Sequence, residues 1–419
     1  MTKPGVFLLV VLLALPDYAA TQTPADRARL MALETQLQAA EESLATLTTT
    51  IDMIVVEVAA LKGLPETETT EPISVEDSYV ERVLVTDLGH DERAEELTPR
   101  PELFVQTRYH ANPIDEATED DIVRNLGLNR VELRWAGRVS DRIGVGYEIQ
   151  YHPAPDGASE ELVNDAYVEY YPSDSMTVRA GQFVKPFGFD IQHSSGDRES
   201  PERGIFAGYF FPGQRDRGVM LAADLSNVAD WAQGMSIHAG VFNGNRFFDD
   251  NNSDLNYNLR IRKVFNGLPL AVGASFQRGT QVLPPQMSGD GDENVYGVDI
   301  QYVVGRLGIR VEYVRGNMPS TLLALEPEFT PGFMPGLKSS GTTAFFNYSL
   351  SRNDDIYWRW DKFENDPVTR DDIRAFNLGY LRQIGPNSRI GVDYQRKNNV
   401  TFNDDELNNA LSFTWNVSY

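Results

Sequence analysis

The residues in this chain best suited to chemistry are its arginines and the acids interleaved with them. Arg108, Arg130, Arg134, Arg138, Arg179, Arg260, Arg262, Arg310 and Arg359, together with Lys185, are candidates for one shared face. In "NRVELRWAGR" the residues Arg130, Arg134 and Arg138 keep one parity, while Val131, Leu133 and Trp135 keep the other. A guanidinium stays charged and presents a fork of donors, so a row of them can replace part of an anion's hydration shell and hand it onward without a single trapping site. That chemistry would be an anion path. The same parity also carries Glu132, Glu148, Asp165, Glu169, Asp299, Glu312, Asp361 and Asp393. The alternative is therefore a mixed-charge wall whose ion pairs solvate an interior.

Other chemistry is sparse. The chain has no cysteine, hence no disulfide framework, thiolate zinc site or cysteine nucleophile. Its five histidines are scattered, and His193 stands beside Ser194 and Ser195 as a sequence neighbour, which is not a charge-relay geometry. "DGDEN" from Asp290 has carboxylate spacing for calcium, but Val295 stands where such a loop needs glycine and Gln301 where it needs a bidentate acid. No glycine loop that could cradle phosphate precedes a helix. The sequence thus predicts no catalytic residue, no metal and no cofactor. A formal charge of -24 argues against a nucleic acid partner, which needs a basic footprint.

The elements that must position these side chains fall into distinct regions. Lys3 followed by "VFLLVVLLAL", with Ala19 and Ala20 beyond, has the form of a secretory signal over 1–20. Over 26–62, Leu30, Leu33, Leu37, Ala40, Leu44, Leu47, Ile51, Ile54, Val58 and Leu61 keep unbroken 3-4 spacing, which predicts a coiled coil. Its core residues lean towards three or four strands. Residues 63–101, with "GLPETETTEP" and "GHDERAEELTPRPE", read as an acidic linker.

From Leu103 onward only strands are expected, rich in Tyr, Phe, Val and Gly. Period-2 segments fall near 103–111, 128–138, 143–152, 162–171, 176–185, 217–225, 235–243 and 256–264, then near 269–278, 294–304, 307–315, 341–350, 355–363, 373–382, 388–396 and 409–419. Short connections such as "SDR", "PSDS", "NGLP" and "QIGPN" alternate with long ones such as 186–216 and 316–340; only 226–234 is long for its side. No stretch of about 18 apolar residues follows the first twenty, which excludes helical spans. The fold class is an all-β membrane protein, a transmembrane antiparallel β-barrel of about sixteen strands over 102–419 with an N-terminal α-helical coiled coil. The closing run "LSFTWNVSY" alternates Leu411, Phe413, Trp415, Val417 and Tyr419 with small polar residues, as a last strand between lipid and water must, with Tyr419 in the interfacial girdle.

The block Gly181, Gln182, Phe183, Lys185, Pro186, Phe187 and Gly188 in "AGQFVKPFGF", with the later "SS", "ER" and "RDRGV" and the upstream "LNRVELRWAGRVSDRIGVGYEIQY", resembles the phosphate-selective porin O and P family. The resemblance covers roughly Leu103 to Tyr419. It implies a homotrimeric outer-membrane barrel that passes small anionic or polar solutes, with the coiled coil in the periplasm. It also implies that the loop after the fifth strand folds inward as a constriction, bringing His193, Arg198, Glu199, Arg203, Arg215 and Arg217 near the path. Phosphate-specific members are expected to carry lysine beside the paired serines, whereas here Ser194 and Ser195 are followed by Gly196, Asp197, Arg198 and Glu199. The permeant solute, phosphate included, stays open. The competing readings are a structural envelope tether, its coiled coil gripping a periplasmic partner and its barrel anchored in outer-membrane lipid, and a barrel hydrolase built on His193 with Ser194 or Ser195.

Overall fold

The computed structural model describes residues 100–113, 122–153, 159–211, 213–246, 249–250, 252–265, 268–280, 291–317, 338–364, 372–399 and 407–418. The expected signal segment, coiled coil and linker up to residue 99, and Tyr419, lie outside them. The first strands are β1 (Arg100–Pro113), β2 (Ile122–Ser140), β3 (Ile143–Pro153), β4 (Ser159–Ser173) and β5 (Met176–Val184). After a short helix α1 (Ile205–Phe210) come β6 (Arg215–Asp224), β7 (Met235–Phe242), β8 (Asn256–Phe265), β9 (Leu270–Thr280), β10 (Asp292–Val304) and β11 (Leu307–Asn317). The last are β12 (Lys338–Ser349), β13 (Asp354–Glu364), β14 (Asp372–Gly385), β15 (Ser388–Asn399) and β16 (Leu407–Ser418).

Each strand pairs antiparallel with its sequence neighbours, and β1 pairs with β16, so the sheet closes on itself. Closure leaves no edge with unpaired amides and carbonyls, the condition for strands to sit in hydrocarbon. The period-2 alternation expected from the sequence is the alternation of the wall. Trp135 is 48% exposed while its neighbour Glu132 is 2% exposed, the reverse of a protein whose outside is water and the pattern of a barrel with an apolar outer face. Outward rings stack across neighbouring strands, as Phe346 does on Trp358 with centroids 4.7 Å apart. In β16, Leu411, Phe413, Trp415 and Val417 face out, and Ser412, Thr414 and Asn416 face in.

All the expected strands are present. β2 starts at Ile122 instead of near 128, because Pro113 of β1 reaches as far and the ladder runs on where side-chain alternation has lapsed. α1 was not expected, since only strands were read after Leu103. It lies against β12 and β13, whose backbone groups are already paired with their neighbours in the sheet, so it closes hydrogen bonds locally and buries Phe206, Ala207 and Phe210. The connection after β6 holds a 3-10 turn, Asp230–Ala232, which accounts for its length. The two-residue turn between β10 and β11 uses Gly305 at φ +58°, a left-handed conformation that glycine adopts without steric cost.

Candidate functional site

Between β5 and β6 the chain leaves the wall and crosses the barrel interior. The exit and return are held together, because the Lys185 amide donates to the Gln214 carbonyl at 3.0 Å. The bend inward turns at Gly188, where φ is +56° and an added Cβ would collide with Glu312 Oε1. Immediately after, the amides of Phe189 and Asp190 donate to Glu312 Oε2 on β11 at 3.2 and 2.8 Å, and the Gly188 amide donates to Ser275 Oγ on β9. An apolar seat does the rest: Phe187, Ile191, Phe206, Phe210 and Phe211 pack with Val295, Val314 and Phe363 of the wall.

Polar anchors fix the rest of the segment. Ser195 donates to Glu132, and Arg134 donates to Ser194 Oγ at 2.7 Å, both on β2. Glu202 accepts from Arg108 on β1 at 3.0 Å and from Arg130 on β2 at 2.7 Å. Glu199 is held by both terminal nitrogens of Arg310 on β11, at 2.8 and 2.7 Å. Arg359 on β13 donates to Ser200 and to the Glu202 carbonyl, and Arg389 on β15 donates to the carbonyls of Gly196 and Arg198. The loop is bonded to β1, β2, β9, β11, β13 and β15, which lie around the barrel's circumference.

The arginines named from the sequence sit on the inward side, and acids accompany most of them. Arg134 pairs with Glu132 and Glu148, Arg179 with Glu169, Arg260 with Asp299 at 2.6 Å, and Arg359 with Asp361 at 2.8 Å. Arg138 lies over the Tyr171 ring at 4.2 Å, Lys185 5.6 Å from the Phe211 ring, and Arg262 is buried on β8. Among the loop candidates, Arg203 turns back onto the loop itself and donates to the carbonyls of Asp190, Ile191 and His193. Arg215 and Arg217 are strand residues, because β6 pairs with β5 from Arg215 opposite Val184. Arg215 joins Glu148 and Asp165, and Arg217 reaches Asp249 at 2.7 Å.

Three contributors escaped the sequence reading. Arg389 shares the parity of Asp393 against Ile390 and Val392, a signal that was there to be read. Glu202 and Asp190 lie in a stretch without period, and only the folded loop brings them to their partners. Burial would raise the Glu202 carboxyl, but Arg130, Arg198 and Arg108 outweigh it and hold the group below the usual range. Burial, followed by Arg310, Arg198 and Arg203, pushes His193 well below the ordinary imidazole value, so it is neutral at pH 7. Burial and then Arg203 and Arg130 press down on Arg198, yet a guanidinium keeps its proton at neutral pH. Among the described residues His193 makes no hydrogen bond to Ser194 or Ser195, whose hydroxyls are engaged by Arg134 and Glu132. What remains is an interior narrowed by an anchored loop and lined by ion pairs.

Residues 105–285 match the family model of phosphate-selective porin O and P. Among solved structures, a complex of Salmonella typhi OmpF with daunomycin is 13% identical with a TM-score of 0.58, covering 77% of this chain and 97% of that one. The anion-selective porin from Comamonas acidovorans is 10% identical with a TM-score of 0.57, covering 77% and 99%. The outer membrane channel DcaP of Acinetobacter baumannii is 13% identical with a TM-score of 0.54, covering 77% and 97%. At these identities the likeness is one of fold. No curated protein sequence matches the chain.

Proposed function

Residues 105–285 match the phosphate-selective porin O and P family, and from that premise we propose that the chain forms a water-filled channel in the bacterial outer membrane for passive diffusion of small polar solutes. The observation that carries this is the segment 185–214, bonded across the inside of a closed barrel of sixteen strands. A loop so held sets the width of an opening without plugging it by collapse, because its own backbone is tied to Glu312, Arg359 and Arg389. Selectivity is weak. Most of the guanidiniums that could form an anion path are paired with carboxylates, so a passing ion meets a mixed wall with little net sign. Phosphate is therefore one permeant among several. The coiled coil over 26–62 acts as a periplasmic trimerising stem, which rests on its heptad spacing.

Planar-bilayer recording tests the reading. Stepwise conductance that scales with bulk salt supports it. A folded barrel that inserts without conducting would favour the tether, in which the barrel serves only as an anchor.

A further inference from the structure

Where the inward loop meets β10–β13, a cavity of about 30 Å³ lies between them, room for about two water-sized spheres. Its lining holds polar atoms that are buried and unmatched within the protein. Nε, Nη1 and Nη2 of Arg198 find no hydrogen-bond acceptor among the described residues, and neither Nε2 of His193 nor either polar atom of Gln301 finds a partner. These three side chains are 4%, 9% and 1% exposed. An unmatched buried polar group costs about 1–3 kcal/mol, and a charged one more, so a fold that leaves three facing one space has a ligand to satisfy them.

The sign of that ligand follows from how the neighbouring charges are spent. Glu199 is taken by Arg310, Glu202 by Arg108 and Arg130, Asp299 by Arg260, Oδ2 of Asp190 by the Gly204 amide, and Oε2 of Glu312 by two amides, while Oε1 of Glu312, also without a partner among the described residues, lies against Gly188. Arg203 and Arg130, of its own sign, act on the Arg198 guanidinium more strongly than the carboxylates of Glu202 and Asp190 do. The backbone of Arg198 is fixed, since its amide donates to the Ser194 carbonyl at 3.1 Å and its carbonyl accepts from Arg389 at 2.6 Å, and the residue is buried. A neutral imidazole can turn an Nε2–H toward the cavity, and the Gln301 amide can turn an N–H the same way.

We propose that this pocket binds one small monovalent anion of halide size, held by Arg198, Gln301 and His193, as a resident counter-ion that fastens the inward loop to β10–β13. The ion is structural and lies apart from the diffusing solute. The proposal holds whether or not the channel passes anions.

The full chain crystallised in bromide tests it by anomalous diffraction. A bromide peak within hydrogen-bond distance of the Arg198 guanidinium, lost in Arg198→Gln, is the expected result. Only water density at that position, with bromide visible elsewhere in the same crystal, overturns the proposal. A second readout covers the case in which Arg198→Gln folds poorly. The unfolding temperature of the wild type should be higher in chloride than in gluconate, an anion too large for the cavity. Gln301→Glu supplies a fixed negative charge beside Arg198 and should abolish that difference. An equal chloride effect in wild type and Gln301→Glu would also overturn the proposal.

Discussion

The inward loop meets the wall on two sides that settle their charges differently. Towards β1 and β2, Arg108, Arg130 and Arg134 all face acids: Glu202 from the loop, and Glu132 and Glu148 from the wall. Towards β10–β13, Arg310 and Arg359 are matched but Arg198 is left over beside a cavity. Both sides are rich in arginine, yet the arginines that hold the loop on the first side all meet acids, while Arg198 on the second does not. On the function proposed above, arginine on the inner face is not by itself a path for anions. What an ion feels is the charge that remains after pairing.

The largest predicted effect breaks the paired side. Arg134→Ala leaves buried Glu132 without its cation and Glu148 with Arg215 alone, and stripping one partner from a buried ion pair costs about 3 kcal/mol or more. The barrel should lose its heat resistance on mild electrophoresis at a lower temperature, and adding Glu132→Gln should restore part of the loss. A smaller effect attends the hinge. Glu312→Leu removes the acceptor of the Phe189 and Asp190 amides, worth about 1–3 kcal/mol. It should appear as faster hydrogen exchange at those two amides and noisier open-channel current, with Glu312→Gln milder.

The smallest concerns His193. Its value in the folded state lies below the ordinary 6.5, so the unfolded chain takes up the proton first as pH falls. The stability tied to neutral His193 is complete above about pH 6.5 and is lost below it. Wild type should therefore lose more heat resistance than His193→Asn between about pH 7.5 and about pH 5.5. Glu202 does not confuse this window, because its depressed value keeps it ionised throughout. Equal losses in the two proteins would show that His193 is not buried against its arginine neighbours.

How much of this could be read in the chain beforehand follows from period. The wall was legible because strands write their faces at every second residue, as Val131, Leu133 and Trp135 do against Arg130, Glu132 and Arg134. That gave the strands in order, with the arginines of β2 on the face opposite Trp135. The loop writes no period. Nothing in "SSGDRESPER" says that Glu202 will bridge β1 and β2, that Arg203 will cap three loop carbonyls, or that a helix will form just beyond it. Pairing across the interior depends on contacts between residues up to hundreds of positions apart, as between Arg389 and Arg198, and local pattern cannot carry that.

The central claim, that pairing leaves a wall of little net sign, is tested most directly by the reversal potential in a salt gradient at low ionic strength, where fixed charges are least screened. Wild type is compared with the double variant Arg310→Gln with Glu199→Gln, which removes one guanidinium together with the buried acid that neutralises it. The account predicts weak selectivity in the wild type and an unchanged potential in the double variant. A strongly anion-selective wild type whose preference falls in the double variant would contradict it, since Arg310 would then have been acting on the passing ion as a free cation.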